Sequence, residues 1–301
     1  MGIDKFITVC ARVFDRVFDQ KLLKKLEKVT VYTALITFVA DIVLIFIAQQ
    51  IGDVTGFWGL FHRGYLSAIY IPFSIILFFS IFLLVMAIPQ SLTFSIARQY
   101  EVISLIAIRS VFKDISSLES LDTVSQHTNE LLLVLTDMAG ALILFSLVAL
   151  FYFIIRNRPT GILSDGHDTF IRVKKTITLF LALTVAITII FAIRQWGVEI
   201  VQFTQHGVPI SSIDHFFTIF FNILVFTDVF ILILSLLYTD SYALVFRDAG
   251  FVVSTIIIRF SLSAGPYYHV FLPIVALLFG CGVMWVYMKF CQISPKAPIE
   301  H

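Results

Sequence analysis

Residues 132 to 155 read LLVLTDMAGALILFSLVALFYFII, and this stretch decides the fold class because its 24 residues include a single charged side chain, Asp137. An α-helix rises about 1.5 Å per residue, so roughly 20 apolar residues cross the hydrocarbon core of a bilayer. The sequence therefore predicts an all-α integral membrane protein. Five more runs of this kind occur, at residues 29–50, 65–88, 176–195, 216–238 and 267–288.

The composition of the whole chain favours the same class. Of its 301 residues, 59% are hydrophobic and 14% are charged, whereas a soluble chain carries about 25% charged residues. A soluble domain of this size buries about three quarters of its surface, so a mean hydropathy of +0.96 would leave too much apolar surface in water. The net charge is +1, without the surplus of basic residues that nucleic-acid-binding proteins carry, so no nucleic acid is expected as a partner. The hydropathy makes the lipid bilayer the expected partner.

Two further apolar segments, residues 93–112 and 242–262, carry charged side chains, and whether they cross the membrane decides the topology. Lys and Arg residues in short loops collect on the cytoplasmic side of a membrane. If both segments cross, the basic residues of the N-terminal segment, the 156–175 loop and the C-terminal tail all fall on one side. We therefore predict eight spans in a plasma (inner) membrane, with both termini cytoplasmic.

The chain also contains the signs of an internal duplication. Residues 102–109, VISLIAIR, resemble residues 252–259, VVSTIIIR, at an offset of 150 positions. Other residues align at similar offsets, among them Arg98 with Arg247 and Tyr152 with Tyr287. Four spans per half is an even number, so the two halves are expected to run in parallel about a pseudo-two-fold axis along the membrane normal.

These observations give a predicted domain organisation. Apolar residues recur at helical spacing between residues 3 and 26, with charged residues between them, which is typical of a helix on a membrane surface. The predicted units are an amphipathic cytoplasmic surface helix at 1–28, a first four-helix repeat at 29–155, a cytoplasmic linker at 156–175, a second four-helix repeat at 176–288 and a cytoplasmic tail at 289–301.

Charged residues inside the spans divide into repeated and unrepeated ones. A charged side chain near the bilayer centre costs roughly 2.5 to 3.5 kcal/mol on insertion scales. The repeated arginines and their neighbouring acid are expected to reach the headgroups or to pair between helices, so we assign them a structural role. These structural intramembrane charges are Arg98, Glu101, Arg109, Arg247 and Arg259.

The unrepeated acids are the candidate functional residues. Asp41 and Asp228 lie near the middle of their spans, and the aligned positions in the other half are apolar. Thr37 lies one turn before Asp41 on a polar helical face, and Asp137 lies nearer the outer edge of the fourth span. One hypothesis is a proton or cation pathway through these four residues. The alternative is that the aspartates bond to neighbouring helices and lock the bundle.

No sequence pattern indicates a metal site, a cofactor or an enzyme. The chain lacks a P-loop, an HExxH helix and a GxSxG elbow, and its three cysteines form no CxxC pair. A membrane enzyme that acts on a lipid-linked substrate would need catalytic groups at one interface. The histidines on the predicted outer side are the only candidates for that: His62, His127, His206, His215 and His269.

Two functional hypotheses remain from the sequence. The first is a polytopic membrane protein that moves a small ion, a proton or cation, or a small solute through the two-repeat bundle. The alternative is a membrane-embedded scaffold or partner subunit of a larger complex, which docks a protein through residues 3–26 and the 156–175 loop. A homo-oligomer is compatible with both.

Overall fold

The computed structural model describes residues 2–17, 20–51, 58, 61, 64–89, 91–119, 128–156, 167–206, 212–237, 241–265 and 267–293. Within these ranges the chain is helical and contains no β-strand, so the predicted all-α class is confirmed. The helices are α1 (Gly2–Val17), α2 (Gln20–Ile51), α3 (Tyr70–Ala87), α4 (Leu92–Glu119), α5 (Thr128–Arg156), α6 (His167–His206), α7 (Ser212–Ser235), α8 (Tyr242–Ser261) and α9 (Tyr268–Ile293). A 3₁₀ turn, Tyr65–Ile69, leads into α3.

Six segments of the described chain are long and apolar enough to cross a membrane, which makes this a multi-pass membrane protein. They are Lys21–Ile51, Tyr65–Ala87, Leu131–Arg156, Ile171–Glu199, Phe216–Ser235 and Tyr268–Ile293. The two remaining long helices, α4 and α8, correspond to the charged segments 93–112 and 242–262, and they fall outside this set of six.

The N-terminal helix packs against α6. Ala11 and Phe14 are buried, and the ring of Phe6 lies 6.5 Å from that of Phe180 on α6. Lys175 on α6 donates to the Asp15 carboxylate over 2.7 Å. α1 ends at Val17 and α2 begins at Gln20, so the predicted unit at 1–28 contains α1 and the first residues of α2. Residues 157–166 of the predicted linker and residues 294–301 of the predicted tail lie outside the described residues.

The eight long helices pack in the same order in the two halves of the chain. α2 contacts α3, α3 contacts α4, and α4 contacts α5. In the second half, α6 contacts α7, α7 contacts α8, and α8 contacts α9. The halves meet mainly through α5 and α9, with further contacts between α4 and α8.

The centre of the core lies among these four inner helices, and buried residues of α3 and α7 extend it. Tyr100 on α4, Phe151 on α5 and Phe251 on α8 are fully buried. The ring of Phe151 meets Tyr100 edge-on at 4.9 Å and Phe251 edge-on at 5.8 Å, an arrangement that aromatic rings prefer. Large apolar side chains cover the outside instead, such as Ile36 (67% exposed) and Phe226 (76% exposed), as expected where lipid replaces water.

The bundle has two ends, at which the helices begin and end. We call them the Arg156 end and the Tyr268 end, after the last residue of α5 and the first residue of α9. Because neighbouring helices run in opposite directions, α4 and α8 begin at the Arg156 end, whereas α3, α7 and α9 begin at the Tyr268 end.

Candidate functional site

A hydrogen-bonded pair of polar side chains lies inside the bundle. Gln99 on α4 donates from Nε2 to Oδ2 of Asp228 on α7, over 2.7 Å. Both side chains are 0% exposed, and the two helices belong to different halves of the chain. Asp228 lies seven residues before the end of α7, about 10 Å along the helix, so the pair lies well inside the bundle.

No described basic side chain balances the charge of the Asp228 carboxyl group. Among the described residues no Lys, Arg or His forms a salt bridge with Asp228. Asp228 Oδ1 and Gln99 Oε1 are buried and accept no hydrogen bond, and the buried Ser95 Oγ one turn before Gln99 also has no partner. Such orphaned oxygens are rare in proteins and mark positions where a water or an ion binds.

A plug of aromatic and aliphatic side chains separates this pair from the Tyr268 end. On α7, Phe220, Phe221 and Leu224 lie between Thr218 and Asp228, and each is at most 1% exposed. Asp228 is ten residues from Thr218, which is about 15 Å along a helix. The plug therefore closes the bundle on that side of the buried carboxylate.

A polar cluster lies at the Tyr268 end, beyond the plug. Asp137 on α5 is 1% exposed, and its Oδ2 lies 3.0 Å from Nε2 of His269 on α9 and 3.5 Å from Oγ of Ser110 on α4. Asp114, in the last turns of α4, hydrogen-bonds to the same carboxyl group. Burial, together with this bond and the charge of Asp137, raises the pKa of Asp114 to about 7.

Next to this cluster is a cavity of about 210 Å³. Helices of both halves line it, with polar groups from α3, α4, α7, α8 and α9. Its lining residues that bear a polar side chain are Tyr70, Arg109, Ser110, Lys113, Thr218, Ser261 and His269. Ile103 also lines it, four residues from Gln99 on α4, so the cavity ends about 6 Å along that helix from the buried pair.

The arginines predicted to be structural are all engaged with neighbouring side chains. Arg98 pairs with Glu101 at 2.6 Å, and the other carboxylate oxygen of Glu101 accepts from Tyr152 on α5 at 2.6 Å. Arg247 pairs with Asp248 at 2.7 Å and lies over the ring of Tyr287 on α9, 4.8 Å from its centre.

The second pair of repeated arginines faces the helix that precedes each of them in the packing order. Arg109 is 3% exposed, donates to the Tyr70 hydroxyl and lies over the rings of Tyr70 and Phe217, at 4.3 and 5.1 Å. Arg259 donates from Nε to the side-chain oxygen of Asn222 on α7. Tyr70 begins α3 and Asn222 is on α7. These are the second long helices of the first and second halves, so the two arginines bond to equivalent helices.

The four residues of the predicted pathway do not form one cluster. Asp41 is 3% exposed on α2, which packs against α3 and the 3₁₀ turn, whereas Asp228 is on α7, which packs against α6 and α8. Asp137 is at the Tyr268 end on α5. The hydroxyl of Thr37 donates to backbone carbonyls of its own helix, at 2.8 Å to Thr33 and 3.0 Å to Ala34.

Of the predicted outer histidines, His269 is the one whose side chain the structure describes. His62 and His127 lie outside the described residues, and for His206 and His215 only the backbone is described. In the described part of the chain, no group of three or more His, Cys, Asp or Glu side chains is arranged to hold a metal ion.

Two elements of the site were not predicted from the sequence. Gln99 was not among the predicted residues, because it lies between the charged residues Arg98 and Glu101, which drew the attention in this segment. The contact of His269 with Asp137 joins positions 132 residues apart, and no sequence pattern links them. No protein-family model matches this chain, and neither a curated protein nor a solved structure is significantly similar to it.

Proposed function

We propose that the chain crosses the plasma membrane eight times, with both termini cytoplasmic, and that α4 and α8 are the two additional spans. α4 runs antiparallel to α5, because it meets Tyr152 at the Arg156 end and Asp137 at the Tyr268 end. α8 lies along α9 in the same way, through Arg247 on Tyr287 and Ser254 bonded to the Ala276 carbonyl. A helix that lies along a membrane-spanning helix over such a length shares its path through the bilayer.

Two parallel four-helix repeats are part of the same proposal. Three observations support the repeat: the identical packing order of the halves, the aligned tyrosines Tyr152 and Tyr287 beside the aligned Arg98 and Arg247, and the matching partner helices of Arg109 and Arg259. The buried Gln99–Asp228 pair then lies between the repeats, where transporters built from repeats hold their substrates.

The function that the site supports best is the movement of a proton or small cation through this bundle. The observation that carries it is Asp228, a fully buried carboxyl group without a salt-bridge partner in the described chain. A buried carboxylate requires a positive charge or a proton beside it. We assign that role to the transported ion, with Gln99 holding the other carboxylate oxygen in position.

The remaining predicted residues have separate places in this proposal. Asp137 and His269 are the entry at the Tyr268 end, because they are the polar pair beside the cavity there. Asp41 on α2 is a second ion-binding candidate, with Thr37 one turn away. Phe220 and Phe221 form the barrier that keeps the two ends of the bundle from being connected.

Ion flux into liposomes tests the function. Purified protein in sealed liposomes should acidify or alkalinise the lumen under a proton gradient or potential, and Na⁺ and K⁺ gradients test the cations. We expect Asp228→Asn to reduce the flux at least tenfold, because the amide has no ionisable group. Thr227→Val is the matched control, since the Thr227 hydroxyl bonds only to the backbone of its own helix.

Two results would contradict transport. One is a wild-type flux no higher than that of empty liposomes under every gradient, and the other is an unchanged flux in Asp228→Asn. Size-exclusion profiles and helical circular dichroism must match between variants, so that misfolding is not read as loss of flux. Without flux, the scaffold function is favoured, and deleting residues 2–17 should then release a co-purifying protein.

A further inference from the structure

The cavity at the Tyr268 end is formed where the two halves meet. α4 of the first half supplies Arg109, Ser110 and Lys113 to its wall. The second half supplies Thr218 from α7, and residues of α8 and α9 complete it. A cavity between two halves of a bundle is a typical position for a ligand site, because relative movement of the halves opens and closes it.

The lining of this cavity is rich in positive charge and in hydrogen-bond donors. Arg109 and Lys113 carry positive charges, and the His269 ring is next to them. The hydroxyl groups of Ser110, Thr218 and Ser261 line it as well. None of the residues that line the cavity is an acid. Two described acids lie beside it: Asp137 is hydrogen-bonded to His269, and Asp114, next to Lys113 in the chain, is hydrogen-bonded to Asp137. The described lining therefore suits an anion.

The residue types narrow the kind of anion. A guanidinium group forms paired hydrogen bonds with the two oxygens of a carboxylate or phosphate, and an ammonium group adds a point charge. Arg109 is held in place by the rings of Tyr70 and Phe217 on its faces, so its orientation in the wall is defined. This is the arrangement of a preorganised oxyanion site rather than of a flexible surface charge.

The size of the cavity limits the ligand. Sites for drug-sized molecules measure roughly 300–1,000 Å³, whereas one water occupies about 30 Å³ in the liquid. At about 210 Å³ the cavity has room for an ion or group of a few heavy atoms. Inorganic phosphate, a short carboxylate and the phosphate of a lipid headgroup all meet this limit.

We propose that this cavity binds a phosphate or carboxylate group, with Arg109 as its main ligand and Lys113 and the three hydroxyl groups as supporting ligands. The site is distinct from the Gln99–Asp228 pair. The proposal names a second solute for the proposed transporter, an anion that crosses together with the proton or cation. Only the transport of the anion across the membrane rests on the proposed function. Binding of the anion in the cavity does not depend on transport.

The binding test uses the full chain in nanodiscs of a zwitterionic phosphatidylcholine. Radiolabelled phosphate and acetate are the probes for a free anion, measured by equilibrium dialysis. We expect saturable binding of at least one of them, weakened at least tenfold in Arg109→Gln and severalfold in Lys113→Gln. Arg259→Gln is the matched control: this arginine is the repeat counterpart of Arg109 but does not line the cavity. It should leave binding unchanged.

A second arm distinguishes a free anion from a lipid headgroup. Nanodiscs doped with labelled phosphatidic acid report whether the protein retains an anionic lipid over phosphatidylcholine and whether Lys113→Gln abolishes this preference. Binding in either arm, with the expected effect of the variants, supports the site. The arm that shows binding tells whether the bound group belongs to a free anion or to a lipid headgroup. If Arg109→Gln does not fold, Lys113→Gln and Ser261→Ala decide, because Lys113 is exposed and a serine-to-alanine change is small.

Three outcomes separate this proposal from the transport function. No binding of phosphate, acetate or phosphatidic acid, or equal binding by wild type and every cavity variant, overturns the anion site even if proton flux is intact. Anion binding without any ion flux overturns the transport function and leaves the anion site. Asp228→Asn should bind the anion normally, because Asp228 does not line the cavity.

Discussion

The hydroxyl groups of Tyr100 on α4 and Ser254 on α8 are 2.7 Å apart, and both side chains are 0% exposed. Ser254 Oγ also lies 2.7 Å from the carbonyl oxygen of Ala276 on α9 and donates its single proton there. Tyr100 is therefore the donor to Ser254. This chain of two hydrogen bonds joins the first half of the protein to both inner helices of the second half.

Tyr100 fits into this position only because residue 280 has no side chain. A Cβ atom at position 280 would overlap the Tyr100 hydroxyl, whereas one at position 282 would meet nothing within 4 Å. We expect Gly280→Ala to destabilise the bundle by about 1–3 kcal/mol, because overpacking displaces the tyrosine and breaks its bond to Ser254. Thermal unfolding in detergent measures the difference, with Gly282→Ala as the control in the same helix.

The two glycine variants should behave in opposite ways. Gly282→Ala adds a residue of higher helix propensity at an open position, so its melting temperature should be unchanged or slightly higher. If Gly280→Ala melted at the same temperature as Gly282→Ala, the close packing of Tyr100 against α9 would be wrong.

The proposed crossing of α8 has a direct test. Tyr242 is 73% exposed at the first residue of the helix, and Ser263 is exposed just beyond its last residue. In a background without Cys10, Cys281 and Cys291, we expect Tyr242→Cys and Ser263→Cys in sealed vesicles to react with a membrane-impermeant maleimide from opposite sides. Labelling of both positions from one side would mean that α8 does not cross the membrane, and it would leave three spans in the second half.

The carboxyl group of Asp114 predicts a pH dependence of stability. Its pKa is raised from 3.8 to about 7, first by burial and then by the bond to Asp137. The charged groups that face it are Lys113 on its own helix, Asp137 on α5 and His269 on α9. A pKa that is higher in the folded state favours the protonated form there, so this contribution to stability is complete below pH 3.8 and is lost as the pH rises through about 7.

Asp114→Asn isolates this effect, because asparagine does not titrate. The melting temperature of the wild type should fall relative to that of the variant between pH 5 and pH 8, and the two should differ most at the alkaline end of that range. The same change should weaken the pH dependence of anion binding, since residue 114 next to Lys113 then keeps the same charge at every pH. Parallel melting curves for the two proteins across this range would refute the assignment.

The hydrophobic runs alone were sufficient to predict an all-α, multi-pass membrane protein. Residues 132–155, for example, lie within α5. An apolar run of this length can be recognised from the sequence, because the cost of exposing it to water depends only on its own residues. The charged segments at 93–112 and 242–262 were predicted as helices of the bundle and are α4 and α8. That α4 and α8 cross the membrane remains a prediction. Their arginines lower the hydropathy of both segments, and hydropathy does not take into account that paired charges cost less to bury.

The residues that meet were decided by the tertiary structure. The sequence singled out Asp228 as a lone acid, but its contact with Gln99 depends on how α4 and α7 are rotated toward each other. The contact of Asp137 with His269 likewise depends on the packing of α5 on α9. The sequence of a helix specifies which side chains share a face. Which other helix packs against that face depends on the packing of the whole bundle. The membrane class was thus a property of the sequence, and the candidate site was a property of the packed helices.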